Sequence, residues 1–123
     1  MKEIVRTELA SEDYRVVEEP LYPPADWISW STYRPDLLGY RSDREAEELV
    51  IVECETHPNM SRFGSKNFAS LSFQASIFRE GSIRRILAVP QGRLAAVDLG
   101  LRQHWEIWVL GRTKPIQKMP RLG

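Results

Sequence analysis

Three carboxylates in this chain stand where strand geometry brings them together. Tyr33-Arg34-Pro35-Asp36-Leu37-Leu38-Gly39-Tyr40 and Leu49-Val50-Ile51-Val52-Glu53-Cys54-Glu55 read as the two arms of a hairpin. Side chains in a strand alternate between faces, so Glu53 and Glu55 share a face with Ile51, while Val50, Val52 and Cys54 take the other. A turn symmetric about residues 44 and 45 places Asp36 across from Glu53, with Cβ atoms roughly 5 Å apart. Three such carboxylates repel one another unless a cation sits among them, which makes the patch a candidate metal centre. A plainer account also fits: Asp36 as a strand-start residue after Pro35, and Glu53 and Glu55 as the solvent face of a strand. Leu49 and Ile51 precede them on that same face and are apolar, which favours the edge of a cleft over open solvent.

Other chemistries find no support in the sequence. Cys54 reads as a small core residue on the opposite face, not as a nucleophile. No Ser or Cys triad can be assembled, and there is no phosphate-binding Gly-rich loop, no dinucleotide fingerprint and no Cys/His zinc spacing. His57 follows the strand closely but reads as a loop residue, and His104 as a structural one. Asp98 lies in a helical stretch with no evident partner.

The elements that must position the carboxylates follow from periodicity. Residues 1–13 read as an amphipathic helix and Tyr14 to Glu19 as a short strand. The Pro-rich residues 21–26 and aromatic residues 27–33 lead into the first arm. Pro35 cannot donate a ladder hydrogen bond and so marks an edge, a bulge or a strand start. Residues 41–48 form a polar turn and residues 56–61 a loop. Residues 65–80 read as a helix with a core stripe of Phe68, Leu71, Ala75 and Phe78 and a polar stripe of Lys66, Ser70 and Gln74. Arg84 to Pro90 is a buried-looking strand, residues 92–102 a second helix, and Trp105 to Leu110 a last strand, with Trp105 and Trp108 on opposite faces. The order is helix, three antiparallel strands, helix, strand, helix, strand. It predicts an α/β fold with a mixed sheet, whose later strands join in parallel through crossovers. Residues 1–110 read as a single domain and residues 111–123 as a basic C-terminal tail.

Composition sets outer bounds. The chain has 123 residues, 42% of them hydrophobic, enough for one domain with a real core. No stretch approaches the roughly 20 apolar residues of a membrane span. The charged opening, Met1-Lys2-Glu3-Ile4-Val5-Arg6, and the single cysteine point to a cytoplasmic protein. The net charge of zero hides an asymmetry. Residues 1–60 hold 6 Lys/Arg against 14 Asp/Glu, and residues 61–123 hold 11 against 3, balances of −8 and +8. Either the basic half offers a surface for phosphates, or the two halves attract each other within the fold.

Arg34-Pro35-Asp36, a hairpin, Val52-Glu53-Cys54-Glu55, then a helix and a strand together resemble the PD-(D/E)XK nuclease superfamily. The resemblance covers roughly residues 1–90 and implies a restriction-endonuclease-like three-layer sandwich, with a central mixed β-sheet flanked by helices. The Pro-Asp dipeptide matches Pro35 and Asp36, and the strand acid matches Glu53. The family's usual Lys is replaced here by Glu55. Some branches of the superfamily carry Glu there, and others move the Lys to the following helix, where Lys66 stands and where Gln74 matches a Gln kept by several branches.

The resemblance further implies a nuclease that hydrolyses DNA phosphodiester bonds with Mg²⁺ or Mn²⁺. Asp36, Glu53 and the Cys54 carbonyl would be the metal ligands. Glu55 would hold the attacking water or a second ion. Lys66 would orient or deprotonate that water, or neutralise the phosphate. Glu3, Glu8 or Glu12 of the first helix would add an outer carboxylate. A chain this small that cuts duplex DNA is expected to act as a homodimer. The alternative is a nuclease fold that binds nucleic acid, or serves as a scaffold, without cutting, and the missing strand Lys favours it.

Overall fold

The computed structural model describes residues 1–18, 35–42, 47–58, 63–68, 82–111 and 116–122. Helix α1 (Lys2–Ser11) buries Val5 and Leu9, one turn apart, and leaves its charged residues outward. It ends where the amides of Asp13 and Tyr14 bond the carbonyls of Ala10 and Leu9, both at 3.1 Å. Asp13 makes the reversal at φ +70°, a left-handed conformation that Asp tolerates better than most residues. The chain then enters β1 (Arg15–Glu18).

β1 pairs antiparallel with β2 (Leu37–Ser42), which pairs antiparallel with β3 (Glu47–Cys54). The β2–β3 register runs from Leu37 opposite Val52 to Ser42 opposite Glu47, symmetric about residues 44 and 45 as the sequence predicts. The arms extend further toward the turn than expected. Arg41 and Glu48, assigned to the turn on polarity alone, are cross-strand partners joined by an ion pair. The start of β2 at Leu37 agrees with Pro35 as a residue outside the ladder.

Helical residues 63–68 form α2. β4 (Ser82–Pro90) runs parallel to β3, and β5 (Glu106–Leu110) parallel to β4. β6 (Gln117–Met119) closes the sheet antiparallel to β5, giving six strands in the order β1-β2-β3-β4-β5-β6. β3 and β4 contain the uninterrupted runs Leu49 to Val52 and Ile86 to Val89, as strands covered on both faces require.

Alternation sorts these strands into two cores. Val50, Val52, Ile86, Ala88, Trp108 and Leu110 pack with Val5 and Leu9 of α1. Leu87, Val89, Ile107 and Val109 pack on the other face with Phe63 of α2 and with Leu101 of helix α3 (Leu99–His104). Trp105 and Trp108 fall in different cores, as their spacing predicts, and both are fully buried. The chain is thus an α/β protein with a mixed sheet and a helix layer on each face.

Three expectations need correction. Residues 92–102 do not form one helix: Gly92 turns at φ +93°, a short 3-10 turn spans Leu94–Ala96, and α3 begins only after the extended Asp98. The region expected to be a tail contributes β6, and Lys118 within it bonds Glu8 and Glu12 of α1 at 2.7 and 2.8 Å. Phe68 is not part of a core stripe. It is 73% exposed, while Phe63 and Asn67 face inward. Leu71, Ala75, Phe78 and Gln74 lie outside the described residues.

The acidic and basic halves of the sequence do meet. Lys118 with Glu8 and Glu12, Arg84 with Glu12, and Lys66 with Glu53 and Glu55 are all ion pairs between them. Among the described residues no helix is long and apolar enough to cross a membrane.

Candidate metal centre

The site is built at the end of β3 next to β4. Continuing the β2–β3 register by one residue beyond Leu37 and Val52 sets Asp36 opposite Glu53. Asp36 Oδ2 accepts the backbone N–H of Cys54 at 2.7 Å. The chemistry of Pro35 frames this contact. The Glu55 amide turns toward β4, donating to the Ala88 carbonyl at 2.9 Å, so the amide and carbonyl of Cys54 turn toward the end of β2. Residue 35 would be the next ladder partner there, and proline has no N–H to offer the Cys54 carbonyl. The Asp36 side chain supplies the acceptor for the Cys54 amide.

Glu53 is buried, with 1% of its surface exposed. A carboxylate taken out of water needs a counter-charge or several hydrogen bonds. Lys66 supplies the charge from α2: its Nζ lies 3.6 Å from Glu53 Oε2 and 3.7 Å from Glu55 Oε2. The other oxygen of Glu55 accepts the His57 amide at 3.3 Å, which ties the following loop to the site. Burial alone would lower the pKa of the Lys66 ammonium. The carboxylates of Glu53, Asp36 and Glu55 outweigh that effect and hold it above the ordinary lysine value. Four of the residues named from sequence (Asp36, Glu53, Glu55 and Lys66) therefore form one electrostatic cluster.

Cys54 takes the opposite face, packed against the α1 core. Burial, reinforced by Asp36, pushes its thiol up to about 12, so the side chain stays protonated and inert. Only its backbone belongs to the site.

The first-helix acids are placed elsewhere. Glu8 and Glu12 bond Lys118, and Glu12 also pairs with Arg84 at 3.2 Å. Glu3 lines an open groove with Arg6, Thr7, Ala10 and Glu18. α1 packs on the face of the sheet away from Glu53, so the outer carboxylate expected from it is not supplied by Glu8 or Glu12. Gln74 falls outside the described residues.

Sequence reading missed the structure that holds Lys66 in place. Asn67, its neighbour in α2, is buried and accepts two hydrogen bonds at Oδ1, from Trp105 Nε1 at 2.7 Å and from Arg85 Nη2 at 3.3 Å. Arg85 also donates to the His104 carbonyl at 3.1 Å and stacks on Trp105, its guanidinium 4.2 Å from the ring centre. Phe63 meets the same Trp105 edge to face, centroids 5.4 Å apart. The signal was the Arg84-Arg85 pair heading an apolar run: side chains alternate between faces, so one of the two is turned into each face of the sheet and requires a polar partner there.

Among the described residues, no three His, Cys, Asp or Glu side chains close on a common point as a ready ligand set. The cation that the arrangement does show is the Lys66 ammonium, which lies against two of the carboxylates.

No protein-family model matches the chain, and no curated protein matches it. The fold, however, is shared with solved structures. A fdxN element excision controlling factor protein from Anabaena variabilis superposes with a TM-score of 0.56 at 15% identity, covering 96% of each chain. An XisH family protein from Nostoc punctiforme superposes with a TM-score of 0.55 at 16% identity, covering 95% of this chain and 96% of its own. At such identities the likeness is one of fold alone.

Proposed function

We propose that this protein is a metal-dependent nuclease of the PD-(D/E)XK type that hydrolyses DNA phosphodiester bonds, on a restriction-endonuclease-like three-layer fold. The observation that carries the reading is the lysine on α2. Lys66 reaches Glu53 and Glu55 from the helix that follows the hairpin, where branches of that superfamily place a displaced catalytic lysine. The Asp36–Glu53 register and the Cys54 carbonyl facing Pro35 support it further.

Asp36 and Glu53, with the Cys54 carbonyl, would hold Mg²⁺ or Mn²⁺. The ion supplies acidification of a bound water and neutralises charge on the phosphate. Glu55 orients the attacking water, held in place by the His57 amide. Lys66 would offer its ammonium to a phosphate oxygen, or orient or deprotonate the attacking water. One structural neighbour is named for controlling the excision of an element, a name compatible with work on DNA. A homodimer would present two such sites to the two strands of a duplex.

One feature favours a second reading, a nuclease fold that binds nucleic acid without cutting. Glu55 occupies the strand position where the superfamily usually keeps lysine. Incubating the purified protein with branched, single-stranded and duplex DNA in Mg²⁺ or Mn²⁺ separates the two. Cleavage that disappears in Asp36→Ala and Glu53→Ala supports the nuclease. Binding that weakens with salt but ignores the metal supports the second reading.

A further inference from the structure

We infer that Arg102 and Arg121, at the C-terminal end of α3, form a phosphate-contact surface on which a DNA backbone lies, outside the candidate site. The inference rests on the DNA reading that both functions proposed above share, and it involves no metal.

Part of the basic half of the sequence is engaged inside the fold. Lys66, Arg84 and Lys118 pair with carboxylates, and Arg85 is buried against Asn67 and the His104 carbonyl. Arg93, Arg102 and Arg121 have no ion-pair partner among the described residues. Two of these three meet. The Arg102 carbonyl, in the last turn of α3, accepts the Leu122 amide at 2.9 Å, which sets Arg121 beside the helix end. The acids of residues 91–122 are Asp98 and Glu106. Glu106 is engaged by Arg84 and Trp108, and Asp98 stands at the opposite end of α3. Attraction to a helix C-terminus accounts for a basic residue at Arg102. It does not account for Arg121, which lies outside the helix.

Arg121 is exposed and Arg102 half-buried. A guanidinium is permanently charged, and its fork of N–H donors matches the oxygens of a phosphate. At a surface a single phosphate gains little from such a pair, as exposed ion pairs do. A nucleic-acid backbone gains more, because neutralising its repeated phosphates releases condensed counterions. The surface is also joined to the candidate site. α2 and α3 cover the same face of the sheet, through Phe63 and Leu101. Trp105, which ends α3, donates to Asn67 at 2.7 Å, and Asn67 adjoins Lys66. A backbone seated on Arg102 and Arg121 therefore lies on the helix layer that carries Lys66.

The test measures binding of the full chain to a fluorescently labelled DNA duplex by anisotropy, in chelator, across a series of KCl concentrations. The double variant Arg102→Gln, Arg121→Gln is expected to bind several-fold more weakly than wild type. Its plot of log affinity against log salt should be shallower by about 2, the loss of two phosphate contacts. Arg102→Lys with Arg121→Lys keeps both charges and should keep the wild-type slope. Arg15→Gln removes an exposed arginine of β1, which has no ion-pair partner among the described residues, and should change neither affinity nor slope. Wild-type affinity and slope in the double Gln variant, or an equal loss per charge in Arg15→Gln, overturns the surface and leaves the DNA reading standing. If wild type shows no salt-sensitive binding to the duplex, the DNA reading fails and the surface with it.

Discussion

Asp36 accepts the backbone N–H of Cys54 at 2.7 Å, where the β2–β3 ladder runs out at a proline. This single contact ties a site residue to the strand that carries Glu53. It makes Asp36 a structural residue as well as a candidate ligand, and the two roles separate by substitution.

Asp36→Ala removes the acceptor and leaves the part-buried Cys54 amide without it. The expected loss is about 1–3 kcal/mol in urea unfolding. Asp36→Asn keeps an oxygen in the same place and should recover most of that stability while lacking the charge. Equal stability of the Ala and Asn variants would mean that the hydrogen bond contributes little.

Asn67 is the pivot of α2. In Asn67→Leu, Trp105 Nε1 and Arg85 Nη2 both lose their shared acceptor, and a loss of about 1–3 kcal/mol is expected. Asn67→Asp retains the oxygen and adds a charge facing Arg85, so it should unfold close to wild type. Chemical denaturation of the three proteins side by side gives the comparison.

The hairpin was legible in the sequence because its arms are apolar and its register is symmetric. Counting from residues 44 and 45 gives the observed pairing, and with it the placement of Asp36, Glu53 and Cys54. Polarity misassigned Arg41 and Glu48, because a cross-strand ion pair keeps charged residues in a ladder as well as apolar ones do. In α2, Phe68 was read as a core residue but is exposed, while Asn67 is buried. Successive helical residues turn by about 100°, and the partners that bury Asn67, Arg85 of β4 and Trp105 at the end of α3, are distant in sequence. β6 gave no periodic signal: Gln117, Lys118 and Met119 are a strand because β5 offers an edge and Glu8 and Glu12 hold Lys118.

That clamp can be tested at the other end of the molecule. Lys118→Ala breaks two half-exposed ion pairs and should cost no more than about 1 kcal/mol. Truncation after Gly111 also removes the β6 ladder from β5 and the burial of Met119 and Ile116, and should destabilise far more. Thermal melts of both variants would show whether the C-terminal residues belong to the fold or merely decorate it.

Tyr14 sets an alkaline limit on stability. Burial, with a hydrogen bond to Glu48, raises its pKa from 10.0 to about 12. Below pH 10 the phenol is protonated in both states, and its contribution is fully present. Between about pH 10 and 12 the unfolded chain ionises and the folded one does not, so stability falls as pH rises. Tyr14→Phe should flatten this limb relative to wild type in denaturant titrations at pH 9 and 11. Parallel slopes would place the Tyr14 pKa near its ordinary value.

The account stands most directly on Glu53, the buried carboxylate that Lys66 meets at 3.6 Å and that the proposal makes a metal ligand. Single-turnover cleavage of labelled duplex DNA in Mg²⁺ should be measurable in wild type. It should fall by at least about 10²-fold in Glu53→Gln, the scale of losing a group that acts in the transition state, while the melting curve shows the variant folded. Cleavage that persists in a folded Glu53→Gln, or that proceeds equally in excess chelator, would contradict the metal-dependent nuclease proposed here.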